Sequence, residues 1–258
     1  MYQTDIQAVA QASAKKSALL QKNPLGFLIS SMLAGAYIGF GIVLVFTIGG
    51  ALKAANSPFT QLAMGLCFGA ALSLVVMAGA ELFTGNALVM TVGSLQKEIS
   101  WKRTALVLIG SYLGNLLGGL VLSFLMVKGG LYQQSTIDYI LACSALKMHA
   151  PFLKLFFAGI LCNILVCLPV WCSFRMKSES GKLIMIFWGI LLFVTPGFEH
   201  CVANMTLLSS ALMLPHEAAV SLSGFFYNIL TVALGNLVGG GLIVGGGYHL
   251  ISRISLDK

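Results

Sequence analysis

Two glutamates, Glu81 and Glu199, lie deep inside apolar runs. Each stands two residues after a glycine and five before an asparagine, Asn86 and Asn204 respectively. A carboxylate surrounded by hydrocarbon is costly, so it must be paired, hydrogen-bonded or part of a transport path. The expected role of both is to accept hydrogen bonds from backbone N–H groups exposed where a helix breaks; a direct proton relay is the alternative. His200 follows Glu199. Imidazole exchanges a proton near neutral pH and could neutralise a passing weak-acid anion. Thr84, in the first of the two runs, offers a hydroxyl. Ser209 and Ser210 follow His200 but carry no Gly-x-Ser-x-Gly frame, so an intramembrane enzyme is not expected. The six cysteines show no C-x-x-C pair. They read as free thiols acting as small buried hydrophobes, with neither metal nor cofactor.

The elements that must hold these residues are membrane spans. Of 258 residues, 58% are hydrophobic and only 9% charged, and the mean hydropathy is +0.92. A soluble domain carries about 25% charge, and a disordered chain needs low hydrophobicity, so both are excluded. Six apolar stretches, near 26–50, 61–95, 104–127, 151–173, 183–214 and 225–251, are long enough to cross a bilayer. The loops alternate in charge. Eleven Lys and Arg, among them Lys15, Lys16, Lys22, Arg175 and Lys258, fall on one side. Lys53, Lys128 and Lys147 fall on the other, and Lys154 lies inside a span. That bias places both termini in the cytoplasm. The net charge of +7 therefore sets orientation, and no basic stripe suited to nucleic acid is present. Residues 1–22 read as an amphipathic helix, lying on the membrane face as an anchor or covering a pore.

The two halves match. Leu113–Gly119 and Leu234–Gly240 share six of seven residues at an offset of 121, the two Gly-x-Glu-x4-Asn segments lie 118 apart, and Ala34-Gly35 matches Ala158-Gly159 at 124. The expected fold is therefore an all-α polytopic membrane protein. Its six transmembrane helices form two inverted three-helix repeats, aquaporin-like, with the second and fifth helices broken. Its parts are a cytoplasmic amphipathic segment (1–25), a first repeat (26–127), an extracytoplasmic connection (128–150), a second repeat (151–251) and a cytoplasmic tail (252–258). Gly35, Gly39 and Gly41, with Gly114, Gly118, Gly235 and Gly239, give the small-residue spacing of close helix packing. The breaks are expected at Thr84-Gly85-Asn86 and at Thr195-Pro196-Gly197, where Gly and Pro disfavour continued helix. Irregular backbone at this depth needs protein or a water-filled cavity around it, so two matched breaks point to a central pathway.

The segments Gly79-Ala80-Glu81-Leu82-Phe83-Thr84-Gly85-Asn86 and Gly197-Phe198-Glu199-His200-Cys201-Val202-Ala203-Asn204-Met205 resemble the two signatures of the formate/nitrite transporter family. Asn23-Pro24-Leu25 and both Leu-Gly-Asn segments agree with it, and the resemblance covers essentially the whole chain. It implies a homopentamer in the inner (cytoplasmic) membrane with one pore per protomer, passing a small monovalent anion. By the same resemblance His200, Thr84 and Asn163 form the pore centre. Leu72, Leu82, Phe83 and Val166 form a cytoplasmic-side slit, and Phe68 and Phe193 a periplasmic-side slit. Lys147 attracts anions at the outer mouth, while Glu81, Asn86, Glu199 and Asn204 support the broken helices. A bare anion crosses such apolar rings only at a cost of several kcal/mol or more, whereas its neutral acid crosses far more easily. The run Asn204-Met205-Thr206-Leu207 looks more like the nitrite and hydrosulfide branches than the formate branch, and the Asn-Pro-Leu-Gly-Phe opening looks like nitrite channels. Nitrite is therefore expected first, hydrosulfide second and formate third, ahead of a neutral-solute channel of the water or ammonia type.

Overall fold

The computed structural model describes residues 2–253. Met1 and residues 254–258, most of the expected cytoplasmic tail with its Lys258, lie outside the described residues. The described chain is helical with no strand. Among the described residues, five helices are long and apolar enough to cross a membrane: α2 (Pro24–Ala54), α3 (Thr60–Ala78), α5 (Trp101–Lys128), α7 (Phe152–Arg175) and the continuous run Leu222–Ser252. That run comprises α10 (Leu222–Leu237), a π-helical stretch (Val238–Gly246) and α11 (Gly247–Ser252). The expected fifth span is split into a 16-residue helix, α8 (Glu179–Val194), and a half-helix, α9 (Cys201–Met213). The second span is split likewise into α3 and the half-helix α4 (Phe83–Leu95).

Local sequence sets the boundaries. Asn23 caps α2, its side chain accepting from Gly26 N at 2.9 Å, with Pro24 at the first helical position, where its missing N–H costs nothing. Ser100, Ser178 and Ser221 cap α5, α8 and α10 in the same way.

The packing repeats between halves. α2 lies against α3 and α5 as α7 lies against α8 and α10, while α3 crosses α8 at the centre. Small residues make these crossings possible. A Cβ on Gly118 would strike the carbonyl of Met32, and one on Gly235 that of Phe156. The repeat is also larger than the three spans expected. A helix, α1 (Gln3–Lys22), packs on α4, and a second, α6 (Gln134–Met148), packs on α9 in the same relation. α6 occupies the stretch expected as a connection.

The apolar face of α1 is covered by protein. Ile6 and Val9 are buried against Leu88, Val89 and Val92 of α4 and Trp171 of α7. Its start is clamped as well: Tyr2 stacks edge-on against Trp171 and Tyr248, the Arg175 guanidinium lies 4.8 Å over the Tyr2 ring, and Arg175 pairs with Asp5 at 3.1 Å.

Candidate functional site

The first break falls earlier than the sequence suggests. Helix α3 ends at Gly79, with φ 78°, and α4 begins at Phe83, so Thr84-Gly85-Asn86 forms the first turn of the half-helix instead of the turn between helices. The second break lies at Thr195–His200, with Gly197 at φ 80°. The two glycines sit 118 residues apart, and both adopt backbone that side-chain-bearing residues avoid. The equivalence of Gly79 and Gly197, rather than of the Thr84 and Thr195 trios, sets the geometry.

Each break exposes backbone groups, and one asparagine satisfies them. Asn115 accepts from Phe83 N at 2.9 Å and donates to Ser31 O and Glu81 O at 2.8 and 2.9 Å. Asn236 accepts from Cys201 N at 3.0 Å and donates to Gly159 O and Glu199 O at 2.7 and 3.0 Å. These are the asparagines of the two Leu-Gly-Asn segments, buried at 0% exposure. They perform the task expected of the glutamates. Glu81 instead takes Lys16 Nζ at 2.7 Å and Asn86 Nδ2 at 3.0 Å. Glu199 takes Lys147 Nζ at 2.7 Å and Asn204 Nδ2 at 2.6 Å. Asn204 also donates to Asn228 Oδ1 at 2.8 Å, and Asn228 donates to Lys147 O at 3.0 Å. The physical reason is charge: a carboxylate at this depth gains more from an ammonium and an amide donor than from neutral backbone alone.

His200 and Thr84 meet between the breaks, His200 Nε2 lying 3.1 Å from Thr84 Oγ1. Both are buried. His200 also caps α9, its Nδ1 accepting from Ala203 N at 3.1 Å. A backbone N–H can only donate, so Nδ1 carries a lone pair. The neutral ring then holds its proton on Nε2 and donates it to Thr84. The Thr84 carbonyl is held in turn by Asn163 Nδ2 at 3.2 Å and Cys167 Sγ at 3.3 Å. Asn163 also donates to Asn236 O at 2.6 Å, which ties the first break to the cap of the second.

A vestibule opens on each side of this contact. One, of about 400 Å³, is walled by Lys147, Glu199, His200, Phe68 and Phe193. The other, of about 470 Å³, is walled by Lys16, Glu81, Leu72, Leu82 and Asn86. Phe193 packs edge-on to Phe68 and parallel to the His200 ring, each at 6.1 Å between centroids. Of the other expected slit residues, Phe83 packs on Tyr112 at 4.9 Å, and neither it nor Val166 lines a vestibule. Thr84 and Asn163 line neither vestibule and are fully buried in the partition.

A sequence profile described as formate/nitrite transporter matches residues 3–250. The chain belongs to the formate/nitrite transporter family. This family member is 40% identical to the nitrite transporter NirC of Escherichia coli (strain K12) over 96% of its own length and 91% of NirC. Its fold matches a solved FNT family ion channel with a TM-score of 0.91 at 39% identity, covering 96% of this chain and 98% of that one. It matches a pentameric formate channel with formate bound at 0.77 and 32%, covering 90% and 98%. These relatives are transporters and channels, not enzymes, and the chain is an anion channel of that family.

Lys16, Asn115, Asn228, Asn236 and Cys167 of this formate/nitrite transporter were not singled out as site residues by sequence reasoning. Asn115 and Asn236 carried a signal, since they stand in register in both halves. Lys16 carried none beyond its place in a basic segment. All six cysteines are free; Cys162, Cys167 and Cys201 are buried, and Cys67, Cys143 and Cys172 are partly exposed.

Proposed function

We propose that this protein passes nitrite across the inner membrane as its neutral acid, with the proton exchanged at His200. The observation that carries this reading is the His200–Thr84 contact closing the partition between two vestibules, each with a Lys–Glu pair and an apolar wall. An anion leaving a vestibule meets Phe68 and Phe193 on one side or Leu72 and Leu82 on the other, and its charge is poorly tolerated there. The resting ring has one proton, on Nε2. A second is taken at Nδ1 from hydronium in the vestibule, leaving water and opening the Ala203 bond for that moment. Delivery of one proton to the anion returns the ring to its resting state and leaves a neutral acid to cross. Lys147, Glu199 and Asn204 on one side and Lys16, Glu81 and Asn86 on the other shape the approaches. Asn163 holds Thr84 in place from behind.

The similarity to NirC supports nitrite as the first substrate, with hydrosulfide and formate as further substrates of the same path. The charge bias of the loops supports cytoplasmic termini, so the α1 vestibule faces inward and the α6 vestibule outward. The pentameric formate channel supports assembly as a homopentamer with one pore in each protomer. Flux of nitrite, hydrosulfide and formate into proteoliposomes, measured side by side, tests the substrate. Nitrite is expected fastest. Flux of none of the three would refute the channel reading, and formate fastest would reverse the ranking.

A further inference from the structure

We infer that Lys154, not Lys147, supplies the uncompensated positive charge that concentrates anions in the α6-side vestibule. This rests on the proposed anion flux and adds a residue to it. Lys147 stands 2.7 Å from the Glu199 carboxylate, so the pair presents no net charge to an approaching anion. Lys154 lines the same vestibule, is exposed, and forms no ion pair or hydrogen bond with another described residue. The groove beside the vestibule shares Gln61, Tyr139 and Cys143 with it and adds Lys53 and Asp138, one charge of each sign and so no net charge, though the two form no ion pair. Lys154 therefore remains as the unbalanced charge of this mouth. The α1-side vestibule has no such residue, since Lys16 and Glu81 are the charged groups on its wall and they bind each other.

The position of Lys154 is also unfavourable for the helix that carries it. α7 begins at Phe152, which puts the ammonium in the first turn. The partial positive charge of a helix N-terminus disfavours a cation there. The same superposition of ammonium and helix end raises the positive potential over the cavity, and low-dielectric walls focus that field into the mouth. The two vestibules are thus built alike from repeated Lys–Glu–Asn units, and one fixed charge distinguishes them.

Initial nitrite uptake into proteoliposomes by the wild-type protein, Lys154→Gln, Lys154→Glu and Lys154→Arg tests this. The comparison is made at about 10 mM and about 1 M ionic strength, where the screening length falls from about 30 Å to about 3 Å. At low salt Lys154→Gln is expected to lose on the order of threefold in rate and Lys154→Glu more, while Lys154→Arg keeps the rate. At high salt all four are expected to converge. Equal rates for wild type and Lys154→Glu at low salt would overturn the inference, and so would a loss of the same size at both salts, which marks packing. Absence of flux from the wild-type protein would instead refute the anion-channel reading on which the inference rests.

Discussion

The polar side chains at the two breaks are tied into short chains of contacts, and the consequence is easiest to see at Thr84. Its hydroxyl accepts the Nε2 proton of His200, while its carbonyl is fixed by Asn163 and Cys167. Removing the hydroxyl leaves a buried imidazole N–H without a partner, at a cost of about 1–3 kcal/mol. Thr84→Val is therefore expected to lose on the order of tenfold in nitrite flux, and Thr84→Ser to retain most of it, as read by stopped-flow uptake. Equal rates in the two variants would show that the hydroxyl does not act in permeation. Glu81, Glu199, His200 and Thr84 stand out in the sequence, because ionisable and polar groups inside apolar runs are conspicuous, and the structure buries all four. Their partners do not stand out. Lys16 lies 65 residues from Glu81, and Lys147 lies 52 from Glu199. Nothing in the local pattern separates a lysine that turns inward from one that sets membrane orientation.

Among the elements, the half-helices depend on asparagines from neighbouring helices. Asn115 and Asn236 each satisfy two backbone groups at a break and tie them to a carbonyl of a neighbouring helix, and truncation to alanine orphans the two at the break at once. Either substitution is expected to destabilise the fold by roughly 2 kcal/mol or more, since each buried unsatisfied group costs about 1–3 kcal/mol. Thermal unfolding in detergent should show a clear fall in Tm for both, and an unchanged Tm would contradict the capping role. The Leu-Gly-Asn repeat was visible in the sequence, yet its glycines invited a packing explanation and the carboxamide was passed over. The first break was misplaced for a related reason. Thr84-Gly85-Asn86 has turn-forming composition, but Gly79 is the residue that takes positive φ, and the trio is drawn into the helix once Asn115 caps Phe83 N. Helix α1 was expected from its pattern. Its apolar face meets α4 and Trp171 rather than lipid, a distinction that amphipathicity alone does not make.

For the whole molecule, the inverted repeat explains why two vestibules with the same Lys–Glu–Asn arrangement face opposite ways across one polar contact. The repeat was legible because glycines, asparagines and glutamates recur at nearly constant offsets. Its outer members were not, since α1 and α6 share the placement of one lysine and little else in sequence. The symmetry ends at the centre, where His200 caps α9 and the equivalent position before α4 is Leu82. A single titratable ring in an otherwise paired design fits the proposed passage of a neutral acid. In the proposed mechanism each anion crosses with one proton through His200. The most direct test is lumenal pH in proteoliposomes under an inward nitrite gradient, for the wild-type protein and His200→Asn. The wild-type lumen should acidify in step with nitrite uptake, one proton for each anion, and His200→Asn should lose that coupled uptake. Nitrite uptake that builds a membrane potential without acidification, or acidification unchanged in His200→Asn, would contradict the account.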